Sequence, residues 1–431
     1  MVRIRTTELA RHAGERVLLR GWFHHQRELA NVTFLILRDG SGTAQIALSR
    51  SRAAALSEIS LESAIEVVGQ AVADERAPGG VEVREATVSV IAPSVAPMPF
   101  ELGRPSLGAA LPFVLDHAGI ALRHPQRRAA FRLMDASVAA YRECLRAQGF
   151  TEVFTPKIVA TATESGANCF RVDYFGQPAY LAQSPQLYKQ ILVGVFERVF
   201  EVGPVFRAEP HDTPRHLNEY VSLDAEMGFI GDHHDVMAVL ESVIRAMASA
   251  VSGHEDADRA GAILPIRAPA PFPRLHFTEA QDLLSREFGE EVRAEPDLAP
   301  AHERWLGAWT LREHGSDFLF VIGFPMSKRP FYTHPDPVRS AYSNSFDLLF
   351  RGLELATGGQ RLHAFADYEA AMAARTIELA PFAGYLEAFR HGMPPHGGFA
   401  IGVERWIQQL VGASNLRDTT LFPRDIRRLV P

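Results

Sequence analysis

A proline-rich stretch divides the chain into two parts with different hydrophobic patterns. Five prolines fall within twenty residues: Pro93, Pro97, Pro99, Pro105 and Pro112. Because proline lacks a backbone N–H and fixes φ, we expect this stretch to be extended rather than packed. The chain has 431 residues, which is long for a single hydrophobic core. The sequence therefore predicts one domain over residues 1–92, a linker or hinge over 93–119 and a second domain over 120–431.

The N-terminal part consists of short apolar runs punctuated by Gly and Asp. Five of these runs are typical of strands: residues 17–23, 32–38, 44–48, 64–69 and 86–91. A helical patch over 51–60 interrupts the series. Five strands with one helix favour a small Greek-key barrel of the OB type.

The pattern changes after residue 120. Apolar residues recur at helical spacing from 126 to 148, Gly149 ends that pattern, and residues 151–158 continue as a strand. Five further strand-like runs follow: residues 199–207, 220–229, 318–323, 345–352 and 398–401. They favour a mostly antiparallel sheet flanked by helices. The fold class predicted for the whole chain is therefore a multi-domain α+β protein.

The composition excludes several classes of protein. With 47% hydrophobic and 22% charged residues, the chain is an ordinary soluble globular protein. It contains no apolar stretch long enough to span a bilayer, and Met1 to Arg5 do not begin a signal peptide. Its two cysteines are too few for a disulfide framework. We therefore expect a cytoplasmic protein without a membrane partner.

The net charge of −7 is distributed unevenly. Residues 1–92 contain 11 arginines and 11 acidic residues, so the negative excess lies entirely in the remainder. Nucleic-acid binding requires a local basic face rather than a basic total. The N-terminal part is therefore the better candidate for such a face.

Two arginine-containing blocks indicate a phosphate site. The first is residues 206–220, FRAEPHDTPRHLNEY, and the second is residues 402–405, GVER. Planar guanidinium groups grip phosphate oxygens in pairs, better than ammonium groups do. The long separation predicts that two elements converge on one anion. The alternative is a surface cluster of salt bridges.

The two blocks together resemble motifs 2 and 3 of class II aminoacyl-tRNA synthetases. Residues 181–190, LAQSPQLYKQ, resemble the signature of the aspartyl branch, and the helix–strand unit ending at Pro156 resembles motif 1, a dimer-interface element. Only 118 residues separate Phe229 from Asp347, which is short for bacterial-type aspartyl enzymes and suits the archaeal type. The resemblance implies an OB-fold anticodon-binding domain, a class II catalytic domain and a homodimer.

The family resemblance implies a set of ATP-binding residues: Arg207, Glu209, Arg215, His216, Leu217, Tyr220, Glu354 and Arg405. Arg207 and Arg405 would be catalytic, at the α-phosphate and the γ-phosphate. Glu209 would accept from the adenine amino group, and Tyr220 would stack on the ring. Such chemistry depends on positioning and charge neutralisation rather than on a catalytic base.

The family also places a metal-binding pair at Asp347 and Glu354. Carboxylates beside phosphate oxygens suit Mg²⁺. Without the resemblance, two acids seven residues apart would be a weak indication.

The resemblance implies that five residues matching the aspartyl pattern select the amino-acid substrate. Lys189 and Arg361 would hold the side-chain carboxylate of L-aspartate. Gln186 and Asp224 would face its α-amino group, and Glu164, on a mobile loop, would close over it. An asparagine amide would leave both cations without a counter-charge, which is costly in a dry pocket.

Anticodon contacts are implied within the barrel. Phe34 would stack on the middle base, and Arg27 and Gln45 would hydrogen-bond base edges, as OB folds read single-stranded RNA. His24 and Pro78 match positions found in archaeal-type enzymes that charge both tRNA(Asp) and tRNA(Asn). The sequence therefore predicts relaxed tRNA specificity.

Three alternatives share part of this pattern. An asparaginyl-tRNA synthetase has the same fold and motif 2, but its amide pocket has no need for the charge of Lys189. A catalytically inactive synthetase-derived tRNA-binding paralogue would have lost a motif arginine or the barrel. A free-standing asparagine synthetase derived from this fold would lack the barrel.

Overall fold

The computed structural model describes residues 1–54, 58–160, 168–260, 263 and 265–431. Within these ranges the chain forms two compact units, Met1–His124 and Pro125–Pro431. Both predicted domain limits, at 92 and 119, fall inside the first unit. The limits themselves stay a prediction.

The first unit is built around a closed barrel. Its strands are β1 (Arg16–Glu28), β2 (Val32–Arg38), β3 (Thr43–Ser49), β4 (Ala64–Ala73) and β5 (Val81–Ala92), with α1 (Arg50–Ala53) after β3. They close in the order β1-β2-β3-β5-β4, antiparallel except between β3 and β5. Alternate residues such as Leu35, Leu37 and Ile46 fill the interior. The five strands expected from the sequence are confirmed, while residues 55–57 of the expected helical patch lie outside the described residues.

The proline-rich stretch is more structured than its composition suggests. It contains α2 (Leu111–Asp116) and α3 (Ala118–Ala121). Phe100, Leu102 and Val114 are buried together in a small cluster. The expectation of an extended segment is therefore wrong for its second half. Pro112 lies in the first turn of α2, where a missing N–H breaks no helical hydrogen bond.

The second unit contains a large, mostly antiparallel sheet. The strands of this unit are β6 (Thr151–Glu152), β7 (Ile158–Val159), β8 (Arg171–Tyr174), β9 (Gln177–Leu181), β10 (Arg198–Phe206), β11 (Glu219–Gly228), β12 (Arg274–His276), β13 (Phe318–Ile322), β14 (Ser345–Phe350), β15 (Leu353–Arg361) and β16 (His396–Gly402). In the described part of the chain, the large sheet has the order β12-β13-β14-β15-β16-β11-β10-β6. Only its outermost pairs are parallel. The predicted architecture is confirmed.

Helices cover this sheet and supply its core. They are α4 (Pro125–Ala147), α5 (Gln186–Phe196), α6 (His233–Val251), α7 (Phe277–Leu283), α8 (Pro300–His314), α9 (Phe365–Ala373), α10 (Ala383–Arg390) and α11 (Val403–Val411). Tyr141 of α4, Leu240 of α6 and Trp406 of α11 are fully buried against the sheet. None of the helices in the described ranges has the length and apolarity required to cross a bilayer.

The strand predictions differ from the structure over residues 151–158 and in the strands that were not predicted, which are β8, β9, β12 and β15. Of the strand expected over 151–158, only Thr151 and Glu152 pair with β10. Beyond Pro156, which cannot donate a ladder hydrogen bond, the chain joins β9 in a separate small sheet. Strand β15 was not predicted, because its Thr-Gly-Gly-Gln sequence has low strand propensity. It nevertheless lies at the centre of the large sheet.

Candidate active site

A cavity in the second unit is lined by residues from three parts of the sequence. The residues predicted to bind ATP all lie on its wall: Arg207, Glu209, Arg215, His216, Leu217, Tyr220, Glu354 and Arg405. The two arginine blocks therefore converge on one space, and the alternative of a surface salt-bridge cluster does not describe this geometry.

Strand pairing explains why these residues meet. Residues 207–218 form the loop between β10 and β11, closed by a hydrogen bond from Arg207 N to Asn218 O (2.9 Å). Strand β16 pairs with both β11 and β15, so the start of α11 lies beside Glu354. The helix N-terminus adds partial positive charge to this side of the cavity.

Two arginines at the cavity contact neighbouring side chains or backbone oxygens. Arg405 Nη1 donates to the backbone oxygen of Glu354 (2.8 Å) and lies 3.3 Å from its carboxylate. The Arg207 guanidinium lies 5.7 Å from the centre of the Tyr220 ring. Guanidinium groups and an aromatic ring around an open space suit a nucleotide with charged phosphates.

A second, buried cluster adjoins this cavity through Ser222, which lines the cavity and donates its hydroxyl to Asp224 (2.5 Å). Lys189 Nζ is 2.9 Å from Asp224 and 3.3 Å from Glu226. Arg361 Nε is 2.9 Å from the other oxygen of Glu226. All four charged side chains are buried, Lys189 being only 2% exposed.

Glu226 is the residue of this cluster that the sequence prediction missed. Burial acts to raise its pKa, but Arg361 and Lys189 outweigh that effect and hold the pKa of Glu226 below its ordinary value. Asp224 and Glu226 lie on one face of β11, two residues apart between buried apolar residues. Acidic residues that alternate with apolar residues along a strand were the sequence signal that could have identified Glu226.

Glycines make room for the buried charges. A Cβ on Gly398 would come within 2.1 Å of the Glu226 carboxylate. The Gly398 backbone oxygen instead accepts from Arg361 Nη2 (3.1 Å), and the neighbouring Phe399 oxygen accepts from Lys189 (3.2 Å). These backbone acceptors help to satisfy cations removed from water.

Gln186, predicted to hold the substrate α-amino group, also lies in this cluster. Its Oε1 is 3.4 Å from Arg361 Nη2. Its Nε2 is buried and has no hydrogen-bond partner among the described residues, so it is open to a ligand. Glu164 lies outside the described residues.

The predicted metal-binding acids lie on neighbouring strands. Asp347 on β14 is opposite Thr357 of β15, and Thr357 Oγ1 is 3.4 Å from the Glu354 carboxylate. Burial raises the pKa of Asp347 to about 6, with Glu354 adding to the shift and Arg329, 3.0 Å away, opposing it. A divalent cation would relieve this repulsion, so the pair fits Mg²⁺.

Glu303 is a further charged group at the cavity that sequence reasoning missed. It lies on α8, in a part of the chain with no recognised motif, and its carboxylate is 3.5 Å from Arg215 Nη1. Burial, and then the nearby Glu354, raise its pKa to about 7. The residues around Glu303 in the sequence do not indicate that it lies near Arg215.

The predicted anticodon residues fall into two groups. Arg27 and Phe34 are cross-strand neighbours on the outer face of the barrel, with the guanidinium 5.2 Å from the ring centre. Gln45 is buried and donates to Glu82 (2.8 Å). His24 is also buried, its Nδ1 3.2 Å from Glu62, whereas Pro78 is exposed at the turn before β5.

Comparison with known proteins identifies the family. A model of the class II tRNA synthetases (D, K and N) matches residues 112–426, and one of OB-fold nucleic acid binding domains matches residues 17–97. The chain therefore belongs to the class II tRNA synthetases, which are ligases that use ATP as a substrate.

Individual relatives narrow the comparison. The chain is 44% identical to the aspartate–tRNA(Asp/Asn) ligase of Thermus thermophilus, over 100% of both chains. It is 39% identical to the aspartate–tRNA(Asp) ligase of Thermoplasma acidophilum, over 97% of both. The crystal structure of the Pyrococcus horikoshii asparaginyl-tRNA synthetase with asparaginyl-adenylate superposes with a TM-score of 0.92 at 30% identity, over 100% of both chains.

Proposed function

We propose that this protein is an aspartate–tRNA ligase that activates L-aspartate with ATP and transfers it to tRNA(Asp). The observation that carries the proposal is the buried pair of cations, Lys189 and Arg361, beside the cavity with the arginine blocks. Relatives spanning the whole chain carry the name of this activity.

In the activation step, the α-carboxylate of aspartate attacks the α-phosphorus of ATP and pyrophosphate leaves. The carboxylate is already ionised, so no general base is required. Arg207 holds the α-phosphate and the attacking carboxylate in line. Arg215, His216 and Arg405 neutralise the charge that develops on the leaving phosphates.

Asp347 and Glu354 would hold Mg²⁺ at this site. When bound, the ion supplies charge neutralisation on the phosphate oxygens. Tyr220 stacks on the adenine ring and Glu209 accepts from its amino group, while Leu217 packs beside it.

In the transfer step, the 3′-hydroxyl of the terminal tRNA adenosine attacks the carbonyl carbon of aspartyl-adenylate, and AMP leaves. Gln186, Asp224 and Glu164 hold the substrate ammonium through both steps. The hydroxyl proton leaves with AMP, and the aspartyl group stays on the tRNA as an ester of the 3′-oxygen.

Discrimination between aspartate and asparagine is assigned to the hydrogen-bond donors of Lys189 and Arg361. Asp224 and Glu226 already pair with these cations, so the expectation that an asparagine amide would leave them without a counter-charge is wrong. A side-chain carboxylate accepts from both cations. An amide has only one accepting oxygen, so its NH₂ group would face one of the two cations, at a cost of several kcal/mol in a dry site.

The experiment that tests this function is ATP–pyrophosphate exchange with aspartate compared with asparagine. We expect exchange with aspartate at least about 1,000-fold more efficient than with asparagine, a difference of about 4 kcal/mol. Exchange that depends on asparagine would favour the second candidate, an asparaginyl-tRNA synthetase, for which the superposition at TM-score 0.92 is the supporting observation.

Relaxed tRNA specificity is a further part of the proposal. It is supported by His24 and Pro78 at the positions named above and by relatives whose names include both tRNAs. The contact between His24 and Glu62 fixes the orientation of the imidazole. Wild-type protein should charge purified tRNA(Asn) as well as tRNA(Asp).

The matched control for this test is the adjacent, exposed His25. His24→Gln should lower charging of tRNA(Asn) by at least about tenfold, the effect of one lost base contact, and spare tRNA(Asp). His25→Gln should change neither. Absence of aspartyl-tRNA(Asn) with wild-type protein would contradict relaxed specificity.

We also propose a homodimer formed through the motif 1 segment, in a reduced cytoplasm. Phe154 and Ile158 follow α4 and β6 and are exposed to 79% and 50%, as expected for apolar side chains covered by a second copy. Sedimentation should give twice the mass of the chain, and Phe154→Asp should shift the species to the monomer.

A further inference from the structure

A short turn after α11 contacts both sides of the candidate ATP cavity. This turn, Leu416–Thr419, is not among the residues predicted to act in the reaction. Leu416 lines the cavity, and the Thr419 hydroxyl donates to Glu404 O (3.1 Å) in the first turn of the helix that carries Arg405. On the other side, Leu416 N donates to Pro214 O (2.8 Å).

Arg417 makes the strongest contacts of this turn. Only 7% of the residue is exposed. Its Nη2 donates to Asp212 (3.0 Å), its Nη1 to Thr213 O (3.3 Å), and its Nε to Asp425 (2.5 Å). The guanidinium thus lies between two carboxylates, one on the 207–218 loop and one near the C-terminus.

The residues that Arg417 contacts lead directly to the phosphate-binding side chains. The Thr213 hydroxyl accepts from Arg215 N (3.2 Å) and lies 2.5 Å from His216 Nδ1. Residues 212–214 are therefore anchored to the turn, and residues 215 and 216 are ordered by residue 213. This chain of contacts runs from the C-terminal segment to the backbone of Arg215 and the side chain of His216, the two residues that would meet the outer phosphates.

If the loop became ordered only when ATP binds, the protein would bind ATP more weakly, because the loop would lose conformational entropy on binding. A loop already held by a buried guanidinium avoids that loss. If Arg417 contributed to stability alone, replacing it would affect every step of the reaction equally. If Arg417 anchors the loop, replacing it would affect only the steps that use the triphosphate.

We propose that Arg417 is a positioning residue that holds the 212–216 segment so that Arg215 and His216 face the outer phosphates of ATP. The inference rests on the proposed function, since it assigns ATP to this cavity. Arg417 itself touches no reacting atom.

The test compares Arg417→Gln with Arg427→Gln in the full chain. Arg427 is the matched control because it also contacts Asp212 (3.0 Å) but is 80% exposed. We expect Arg417→Gln to raise the KM for ATP in aspartate-dependent exchange by at least about tenfold. The KM for aspartate and the single-turnover transfer from isolated aspartyl-adenylate to tRNA(Asp) should stay within twofold, and Arg427→Gln should match wild type.

Two further variants keep the test decisive. Arg417→Lys keeps the charge but cannot bond Asp212, Thr213 O and Asp425 together, so it should restore only part of the ATP affinity. Asp212→Ala removes the loop-side carboxylate and leaves the contact between Arg417 and Asp425, so it should reproduce the KM effect even if Arg417→Gln fails to fold.

Unchanged ATP KM in folded Arg417→Gln and Asp212→Ala proteins would overturn the proposal. An equal loss in ATP KM, aspartate KM and adenylate transfer would also overturn it, because that is the result of a purely structural role. Calorimetric binding of α,β-methylene-ATP with Mg²⁺ is measured in parallel. This readout does not require aspartate, so a wild-type protein that fails to activate aspartate can still show whether Arg417 supports nucleotide binding.

Discussion

At the residue scale, buried charge is the feature that most distinguishes this protein. Lys189, Arg361, Asp224 and Glu226 form a fully paired cluster beneath the sheet. Taking any one charge away leaves its partners buried without compensation. Because Lys189, Arg361 and Asp224 are also proposed to bind the substrate, an experiment must separate an effect on substrate selection from an effect on stability.

Lys189→Met is expected to abolish aspartate-dependent pyrophosphate exchange while leaving ATP binding. The ammonium that would meet the substrate carboxylate is gone. Because Asp224 and Glu226 lose a buried partner, the free energy of unfolding should fall by about 3–5 kcal/mol. Exchange kinetics, nucleotide calorimetry and urea denaturation measure the three quantities.

The control for that variant is Lys157→Met, which removes a lysine paired with Glu201 (2.7 Å) at a partly exposed position. The buried Glu201 still accepts from Thr155 N and Thr155 Oγ1, so Lys157→Met should lower stability less than Lys189→Met does and keep full exchange. Normal exchange by the Lys189→Met protein would remove Lys189 from the mechanism.

Glu404 provides a pH-dependent prediction. It is 4% exposed, and burial raises its pKa from 4.5 to about 7. The folded state therefore binds this proton more tightly than the unfolded state, and the resulting stability is present below pH 4.5 and lost as the pH rises to 7. Between pH 5 and 8 this group should lower the unfolding free energy of wild type by roughly 3 kcal/mol.

Glu404→Gln should remove that part of the pH dependence. The glutamine oxygen can still accept from Val221 N, as the carboxylate does at 2.9 Å. Urea denaturation at pH 5 and pH 8 measures the difference. An identical change in wild type and variant would show that Glu404 does not bind a proton over this range.

At the scale of elements, strand pairing decides which distant residues meet. Strand β15 carries Glu354 near one end and Arg361 at the other, so a single strand contributes to both the candidate ATP cavity and the buried cluster. In the barrel, β1 and β2 bring Arg27 beside Phe34 on an outward face. An aromatic ring that stays half-exposed beside a guanidinium suits base stacking.

Phe34→Ala should lower kcat/KM for charging of tRNA(Asp) by roughly 5- to 150-fold, corresponding to a stacking contribution of about 1–3 kcal/mol. Pyrophosphate exchange should not change, because that reaction needs no tRNA. Val90→Ala, at an exposed position on β5, is the control and should charge normally. Equal charging by Phe34→Ala and wild type would assign Phe34 to packing alone.

At the scale of the whole molecule, each unit has its own hydrophobic core. The barrel interior is filled by residues such as Leu19, Leu35 and Val67. The second unit buries a separate and larger set, including Tyr141, Phe346 and Trp406. Since all candidate residues for aspartate activation lie in the second unit, activation and anticodon contact should be separable.

Residues 125–431 produced alone should fold cooperatively and catalyse aspartate-dependent pyrophosphate exchange, with the KM for ATP within about threefold of the full chain. Charging of tRNA(Asp) should fall by at least about 100-fold, because roughly 3 kcal/mol of anticodon contacts are lost. Exchange assays and calorimetric unfolding measure both expectations. A fragment that folds but catalyses no exchange would show that activation depends on the first unit.

The sequence was sufficient for elements whose own residues specify their structure. Strand β2 was predicted with its observed limits, and the helix predicted over 126–148 is α4, because apolar periodicity is a local signal. Strand β15 was missed because its glycines oppose strand formation locally. It forms because β14 and β16 pair with it on both sides and because only glycine leaves room at Gly358, where a Cβ would lie 2.4 Å from Phe346.

What the sequence alone determined is therefore the kinds of chemical groups and their local elements: two arginine blocks, the segment that carries Lys189, and strands of the right periodicity. Only the tertiary structure decided their partners. It places Glu226 between Lys189 and Arg361, Glu303 beside Arg215, and Arg417 in contact with the 207–218 loop. Electrostatic and hydrogen-bonding partners depend on distances of a few ångströms between residues that lie tens to hundreds of positions apart in the sequence, and no local pattern in a chain encodes such distances.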